Sequence, residues 1–540
     1  MPRTRLLALT QVGGLATIFC LFGCNYVIGL DKLSVHADPG SDASTRVIGC
    51  STNAECTQQA TAAAAANAAD SSADAGTTPA TVPAICLQAE GRCVTLVSED
   101  CSTVTGDYSN DKAIIIGSLF ATVGTTATQN IPRQQSALMA IEEINASGGI
   151  PANVAGNSRP LVMVSCNTSA NLIRAAAHLV TDIHVPAIVG PNTSQDTLDV
   201  SINLTIKAGV VVMSPTAVAA SISDLVDKDL TWLMIPSDNQ RAQLMKMNIN
   251  ELEASLNAPP RNLTNVKLSI IYRNDALGLG TQMSMNDLVI NGKPLTDSIN
   301  LGNNVHVDPY EPTQTDYSPI ITKEVAFAPD IVILAGTAET VTKVMTPLEL
   351  AWTGANRPYY LLIDPSKGPE LLAAVAADTV NGLRLRVRGT GTKPGADSVA
   401  VSTAFGVAYF ALYNASPTAS GTGPSYDAAY SIAYALAATK DQPVSGANIA
   451  LGLRKLAGGT KVIATGRADL LAAYQSFAAG QNITGIGTYC PLEWDDHGSV
   501  LGGTIEMWCV ASGTAPTFQS SGLTFDIKTQ QALGSYVQCP

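Results

Sequence analysis

The stretch Ala113-Ile-Ile-Ile-Gly-Ser-Leu119, with the segment Pro132 to Asn145 behind it and Gly148-Gly149 at its close, sets the grammar of this chain. The first piece is near-continuously apolar, which suits a strand covered on both faces of its sheet. In the second, Ala137, Ile141 and Ile144 recur at helical spacing on one face, and the two glycines stop the helix. The unit then repeats. Leu161 to Val164 reads as strand, Leu172 to Val180 as helix, and Ala187 to Val189 and Val210 to Met213 as further strands. Alternation of this kind predicts a parallel α/β sheet with helices on both sides.

The same pattern returns further along. Val266 to Tyr272 reads as strand, followed by Leu277-Gly-Leu-Gly280 and a helix through Leu288; Ile331 to Leu334 and Tyr359 to Ile363 are strands, and Pro369 to Ala377 is a helix. Later helices are expected over Tyr426 to Ala438 and Ile449 to Leu456. Two sheets fit this length of pattern better than one oversized sheet. Open α/β sheets bind ligands at the carboxyl ends of their strands, so a cleft between two such lobes is the expected site.

Ahead of this core the chain changes character twice. Arg3 and Arg5 precede an apolar run from Leu6 to Phe22, the order of a bacterial export signal. The run ends in Leu21-Phe-Gly-Cys24, which resembles a lipoprotein cleavage box, with residues 1–23 as signal peptide and Cys24 as the acylated first residue of the mature chain. The alternative is an uncleaved N-terminal anchor, although the run is short for a helix that needs roughly twenty residues to cross a bilayer. Either way the body is expected in the bacterial envelope, on the periplasmic side or the outer surface, tethered to a membrane at one end. Residues 24–110 then read as a cysteine-containing low-complexity linker, with an Ala/Ser/Thr-rich run from Ala60 to Val82. Cys50, Cys56, Cys86, Cys93 and Cys101 lack the close pairs of a zinc ribbon, and His36 is the only nearby histidine, so disulfides are expected. Five is odd, so one of them stays free or pairs elsewhere.

Composition narrows the function classes. By length alone, 540 residues allow three or four domain units. Lys plus Arg number 31 against 44 for Asp plus Glu, 31 − 44 = −13, which argues against a broad cationic surface for nucleic acid. Eleven cysteines fit an oxidising compartment. Removing Cys20 with the signal and Cys24 to lipid leaves 11 − 2 = 9, an odd remainder that predicts one free thiol or an intermolecular bond. Near the end, either Cys490 bridges Cys509 or Cys539 ties down the tail. His36, His178, His184, His306 and His497 show no metal-ligand spacing, and the chain has neither a Gly-x-Ser-x-Gly elbow nor a Walker loop. No enzyme, cofactor or metal is expected.

Several segments taken in order carry a resemblance. Ile115-Ile-Gly-Ser118, Ala140-Ile-Glu-Glu-Ile-Asn-Ala-Ser-Gly-Gly-Ile150, Pro186-Ala-Ile-Val-Gly-Pro-Asn-Thr-Ser194, Val212-Met-Ser-Pro215 and Ile235-Pro-Ser-Asp238 resemble the first lobe of the type I periplasmic solute-binding proteins, closest to the leucine/isoleucine/valine-binding branch. Thr315-Asp-Tyr-Ser318, Tyr426-Asp-Ala-Ala-Tyr430 and Leu492-Glu-Trp-Asp-Asp-His-Gly498 echo it later, over roughly residues 111 to 515. The resemblance implies two Rossmann-like lobes joined by a three-segment hinge, with 111–236 and 359–490 in lobe 1, and 237–358 and 491–540 in lobe 2 with the C-terminal tail.

The resemblance also implies site residues. Ser194, ending the Gly-Pro loop with Asn192 and Thr193 beside it, matches the serine that hydrogen-bonds a ligand carboxylate; the bland alternative is a helix-capping serine. Ser214-Pro-Thr-Ala-Val218 departs from the family's Ser-Pro-Ala-Ala-Thr, so Thr216 and the Ala217 backbone are the candidates there. Leu277 stands where relatives place an aromatic residue. Glu339 matches the acid that pairs with a ligand ammonium, the alternative being a solvated glutamate favoured by the helix dipole. Asp275 and Phe120 are candidates for the mouth. The implied function is capture of a small polar ligand, an amino acid, for an ABC permease; a ligand sensor that signals to a membrane partner is the alternative.

Overall fold

The computed structural model describes residues 49–70, 80–152, 158–513 and 515–540. The export segment and Cys24 lie outside the described residues.

The described part of the expected linker is folded. A helix, Asn53–Asp70, packs on the antiparallel hairpin of β1 (Ala84–Leu87) and β2 (Arg92–Thr95). Cys50–Cys86 and Cys56–Cys93 staple this unit, and Ile85, Val94 and Leu96 enter the apolar core of the first lobe. So small a piece buries little by itself, and cross-links with a borrowed core supply what a linker would lack. The odd fifth cysteine, Cys101, bridges to Cys166 within the first lobe.

The first lobe is a six-stranded sheet of β3 (Thr103–Thr105), β4 (Ile114–Phe120), β5 (Leu161–Asn167), β6 (Ala187–Val189), β7 (Val211–Ser214) and β8 (Thr231–Leu233) in the order β3-β5-β4-β6-β7-β8. All its pairs are parallel except β3 with β5. Strand alternation divides β4 between two cores: Ile114, Ile116 and Phe120 face one, Ile115 and Leu119 the other. Helices Ala127–Ala146 and Thr422–Ala438 cover the first face, with Ile141, Ile144, Tyr430 and Tyr434 in its core. Helix Val399–Tyr413 adds Phe405 and Tyr409 to that core; the window Ala396–Tyr413 has a mean hydropathy of 1.2, enough by length and composition alone to cross a membrane.

In the second lobe, β9 (Leu268–Arg273) is followed by a small hairpin, β10 (Val289–Ile290) with β11 (Lys293–Pro294), then β12 (Val305–Tyr310), β13 (Ile331–Ala335), β14 (Tyr359–Leu362) and β15 (Val387–Lys393). A two-stranded pair, β16 (Lys461–Ala464) with β17 (Ile483–Ile486), precedes β18 (Thr504–Ala511), β19 (Thr517–Asp526) and β20 (Gln531–Leu533). The eight-stranded order is β12-β9-β13-β14-β15-β18-β19-β20, parallel through β15 and antiparallel beyond.

This topology moves two expected boundaries. β14, taken as the return to lobe 1 at residue 359, pairs in parallel with β13, because the apolar run Tyr359–Leu362 completes another β-α-β step in the second sheet. The chain goes back only after β15. The last crossing also comes later than 490, since Trp494 and Val500 still pack in the first lobe's core before β18 begins. The three crossings lie side by side: Gln240 Nε2 donates to Val500 O at 2.8 Å, and the Gly395 amide donates to Tyr489 O at 3.0 Å. Cys509 pairs with Cys539 and not with Cys490, which is a buried free thiol.

Candidate functional site

Strand ends of the first lobe present two loops that hold each other. Gly190, at φ 95°, brings the first loop against β4, where a side chain would lie 2.5 Å from Leu119 O. Ser214 Oγ donates to Pro191 O at 2.5 Å, and Thr216 Oγ1 donates to Asn192 O at 2.5 Å. Ser194 Oγ accepts from the backbone amides of Val218 at 3.1 Å and Ala219 at 3.2 Å. Helix capping falls to Thr193, whose side chain accepts from the Asp196 amide at 3.0 Å. Val218 O in turn accepts from the Asp238 amide at 2.7 Å, so this loop is coupled directly to the first crossing.

Opposing strand ends in the second lobe carry charge. Asp275 caps helix Ala276–Ser284 by accepting from the Leu277 and Gly278 amides, and pairs with Arg273 at 2.7 Å. Glu339 accepts from Tyr310 Oη at 2.8 Å, from the Thr337 amide at 3.0 Å and from the Thr337 hydroxyl. Burial raises its pKa, but the bonds from Thr337 and Tyr310 outweigh it and leave the group below the ordinary carboxylate range. The lobes touch where Gln195 Oε1 accepts from the Ala276 amide at 3.3 Å and where Ala217, Ala219, Ile222 and Leu233 pack with Ala276. Beside this contact, burial raises the pKa of Asp196, with Asp199 and Asp275 adding to it and Arg273 opposing.

Near the crossings, Arg241 pairs with Asp364 at 3.0 Å. Asp238 is buried with its Oδ2 unpartnered among the described residues, and burial pushes its pKa up to about 7 against the pull of Arg241. A cavity of about 10 Å³, bounded by Asp238, Arg241, Thr281, Ser284 and Thr390, has room for a single water.

Two lobes, strand-end loops that meet across the contact between them and three crossings define the architecture. The fold is that of the type I periplasmic binding proteins. A family model described as periplasmic binding protein domain matches residues 114–200. Among solved structures, the branched-chain amino acid transporter substrate binding protein LivJ of Streptococcus pneumoniae, in complex with isoleucine, is 19% identical, with 76% of this chain and 99% of that one covered at a TM-score of 0.52. The leucine binding protein LivK of Thermotoga maritima is 16% identical, with 76% and 98% covered and a TM-score of 0.53. An ABC transporter substrate-binding protein of Desulfitobacterium hafniense in complex with Leu is 17% identical, with 75% and 100% covered at 0.51. No curated protein matches the chain.

Within this binding-protein fold, the structure brings Ser194, Thr193, Thr216 and Ala217 together in one lobe and Asp275 and Glu339 in the other. Phe120 is a correction: it is fully buried in the first lobe's core, because its position in β4 has the same parity as Ile114 and Ile116, so it does not stand at the mouth. Arg133 is a residue that motif reading missed. Its guanidinium is buried, donates to Ser420 O at 2.7 Å and Asn130 Oδ1 at 2.6 Å, and has no carboxylate partner among the described residues. It lies against Gly421, whose absent side chain would overlap Thr216 Cγ2, and burial pushes its pKa down to about 10. Its spacing of four, eight and eleven from Ala137, Ile141 and Ile144 already placed it on the buried helix face. A larger cavity, about 530 Å³ and lined by Thr105, Asp107, Glu142, Asn145 and Gly148, opens at the opposite, amino-terminal end of β5. It belongs to the outer surface of the first lobe and not to the strand ends that face the cleft.

Proposed function

We propose that this chain is an extracytoplasmic solute-binding protein that closes its two lobes on a small carboxylate-bearing solute, an amino acid, and presents it to an ABC permease, with Cys24 as its lipid anchor. The observation that carries this is the state of Ser194. A hydroxyl has two acceptor positions and one donor. The Val218 and Ala219 amides fill both acceptor positions, so the remaining O–H serves only an acceptor such as a carboxylate oxygen. The ionised Glu339 on the other lobe, with the Arg273 guanidinium 3.8 Å away, supplies the complementary charge for an ammonium. Relatives of the same fold whose structures hold isoleucine and leucine support the ligand class. Lobe closure around a ligand is a two-state change that a membrane partner can read.

The test is calorimetric titration of the purified mature protein with a panel of amino acids, beside analogues lacking either the amino or the carboxyl group. Saturable binding that requires both groups, with a compaction seen by small-angle scattering, is expected. Binding that ignores the carboxyl group, or no binding across the panel, rejects the reading.

A further inference from the structure

An edge strand of the second lobe holds a side-chain cluster unrelated to the cleft. His306 and Asp308, two apart on β12, project to the same side of the sheet, where helix Ser318–Phe327 supplies Glu324. His306 Nδ1 lies 3.2 Å from Glu324 Oε1, and one ligand-capable atom from each of the three residues lies within 4.8 Å of the others. Glu324 is fully buried and its Oε2 accepts from the Ser269 hydroxyl of β9. Lys323 donates to Asp308 Oδ1, while Asp308 Oδ2 is buried with no hydrogen-bond partner among the described residues. The His306 ring is fixed by stacking on Phe327 at a centroid distance of 3.5 Å.

Two carboxylates in one buried place need a positive charge between them, a proton or a metal ion. An imidazole nitrogen with two carboxylate oxygens selects a borderline transition metal over calcium or magnesium, which take six or more oxygens. Tetrahedral bonds of roughly 2.1 Å place neighbouring ligand atoms about 3.4 Å apart. The His306–Glu324 separation already fits that figure, and rotation of the Asp308 carboxyl brings in the third ligand. Lys323 offsets only one of the two negative charges, and the nearby Lys267 ammonium is engaged by Phe327 O at 2.9 Å.

We propose that His306, Asp308 and Glu324 bind a divalent transition-metal ion of the zinc class, which staples edge strand β12 to its covering helix. β12 reaches the cleft only through Tyr310, four residues on and roughly 13 Å along the strand. The staple is therefore independent of solute binding.

Chelator-treated protein is titrated with Zn²⁺ by calorimetry and with Co²⁺ by visible absorption. One equivalent is expected to bind and to raise Tm. His306→Gln and Asp308→Asn, checked for folding by circular dichroism, should each weaken Zn²⁺ at least tenfold and abolish the Tm rise. Absence of saturable binding to the wild-type protein overturns the proposal and leaves a shared proton as the charge in the cluster. Equal affinity in both variants also overturns it by locating the ion elsewhere. Should neither variant fold, the imidazole resonances of the wild-type protein decide: one equivalent of Zn²⁺ must shift those of His306, and binding that leaves them unmoved overturns the proposal.

Discussion

Ser194 Oγ stands 3.1 Å from the backbone nitrogen of Val218 and accepts a hydrogen bond from it, and Val218 is itself almost fully buried. Replacing Ser194 with Ala therefore leaves two buried amides, those of Val218 and Ala219, short of an acceptor. The expected loss of stability is about 1–3 kcal/mol, measured by urea unfolding. Affinity for the carboxylate-bearing ligand should fall at least tenfold in the same variant. A stability loss with unchanged affinity would assign Ser194 to loop architecture alone.

Glu339→Gln keeps the shape of the side chain and removes its charge. Affinity for a ligand bearing an ammonium should drop strongly, while an analogue without the amino group should bind the two proteins alike. The variant also has a pH signature. The folded-state pKa of Glu339 is depressed, so its contribution to stability is present at neutral pH and is lost as pH falls through values below 4.5. Thermal melts across that acid range should show a shallower decline in Glu339→Gln than in the wild-type protein.

Asp238 and Asp427 have the opposite sign. Burial pushes their pKa values up to about 7 and about 6, although Asp427 accepts from Thr465 and Thr488. Between pH 4 and 7 the folded protein then holds protons that the unfolded chain has released, so these groups lower stability as pH rises through that window. Asp238→Asn, neutral in both states, should flatten the slope of Tm against pH between 5 and 7. An unchanged slope would show that Asp238 keeps its charge.

The two sheets were legible in the sequence because β4, β6 and β13 are buried throughout and β5 and β9 over all but their last residues, and their apolar runs leave little else to infer. Assignment of β14 to a lobe was not, since Tyr359–Leu362 fits either sheet locally and only its pairing with β13 decides. The site was half legible. Ser194 and Glu339 stood out by their neighbours in sequence, whereas the partners that define their roles, Val218 and Tyr310, lie 24 and 29 residues away. The Ala-rich run after Cys56 concealed a helix because alanine is common in both linkers and helices, and the two staples that hold it are non-local.

Cysteine chemistry gives a direct count. From residue 49 onward four disulfides use eight cysteines, and Cys490 is buried with its thiol pKa pushed up by burial, so it should resist alkylation in the folded protein. One equivalent of thiol should react in denaturant without reductant. Cys509 and Cys539 close a 30-residue separation, and Arg384 donates to Cys539 O at 2.8 Å. Replacing both cysteines with Ser should cost about 3–4 kcal/mol and expose the tail to proteolysis.

Gly280 offers a way to hold the lobes apart without replacing any proposed ligand residue. It lies in the second-lobe helix Ala276–Ser284, and a β-carbon there would come within 3.3 Å of the Cα of Ala219 in the first lobe and 2.6 Å of Asp238 Oδ2. The Ala219 backbone is fully buried and cannot yield cheaply, so the methyl group of Gly280→Ala acts against the contact between the lobes. Ligand affinity should weaken several-fold, because binding must then pay for closure, and the scattering radius of the ligand-bound protein should exceed that of the wild type. Gly406→Ala is the control. It also adds a methyl group to a helix, but nothing lies within 4 Å of the new carbon, so it should be neutral or stabilise by roughly 0.5–1 kcal/mol without altering affinity. If Gly280→Ala matches that control in both radius and affinity, contact between this helix and the Ala219 loop does not govern closure.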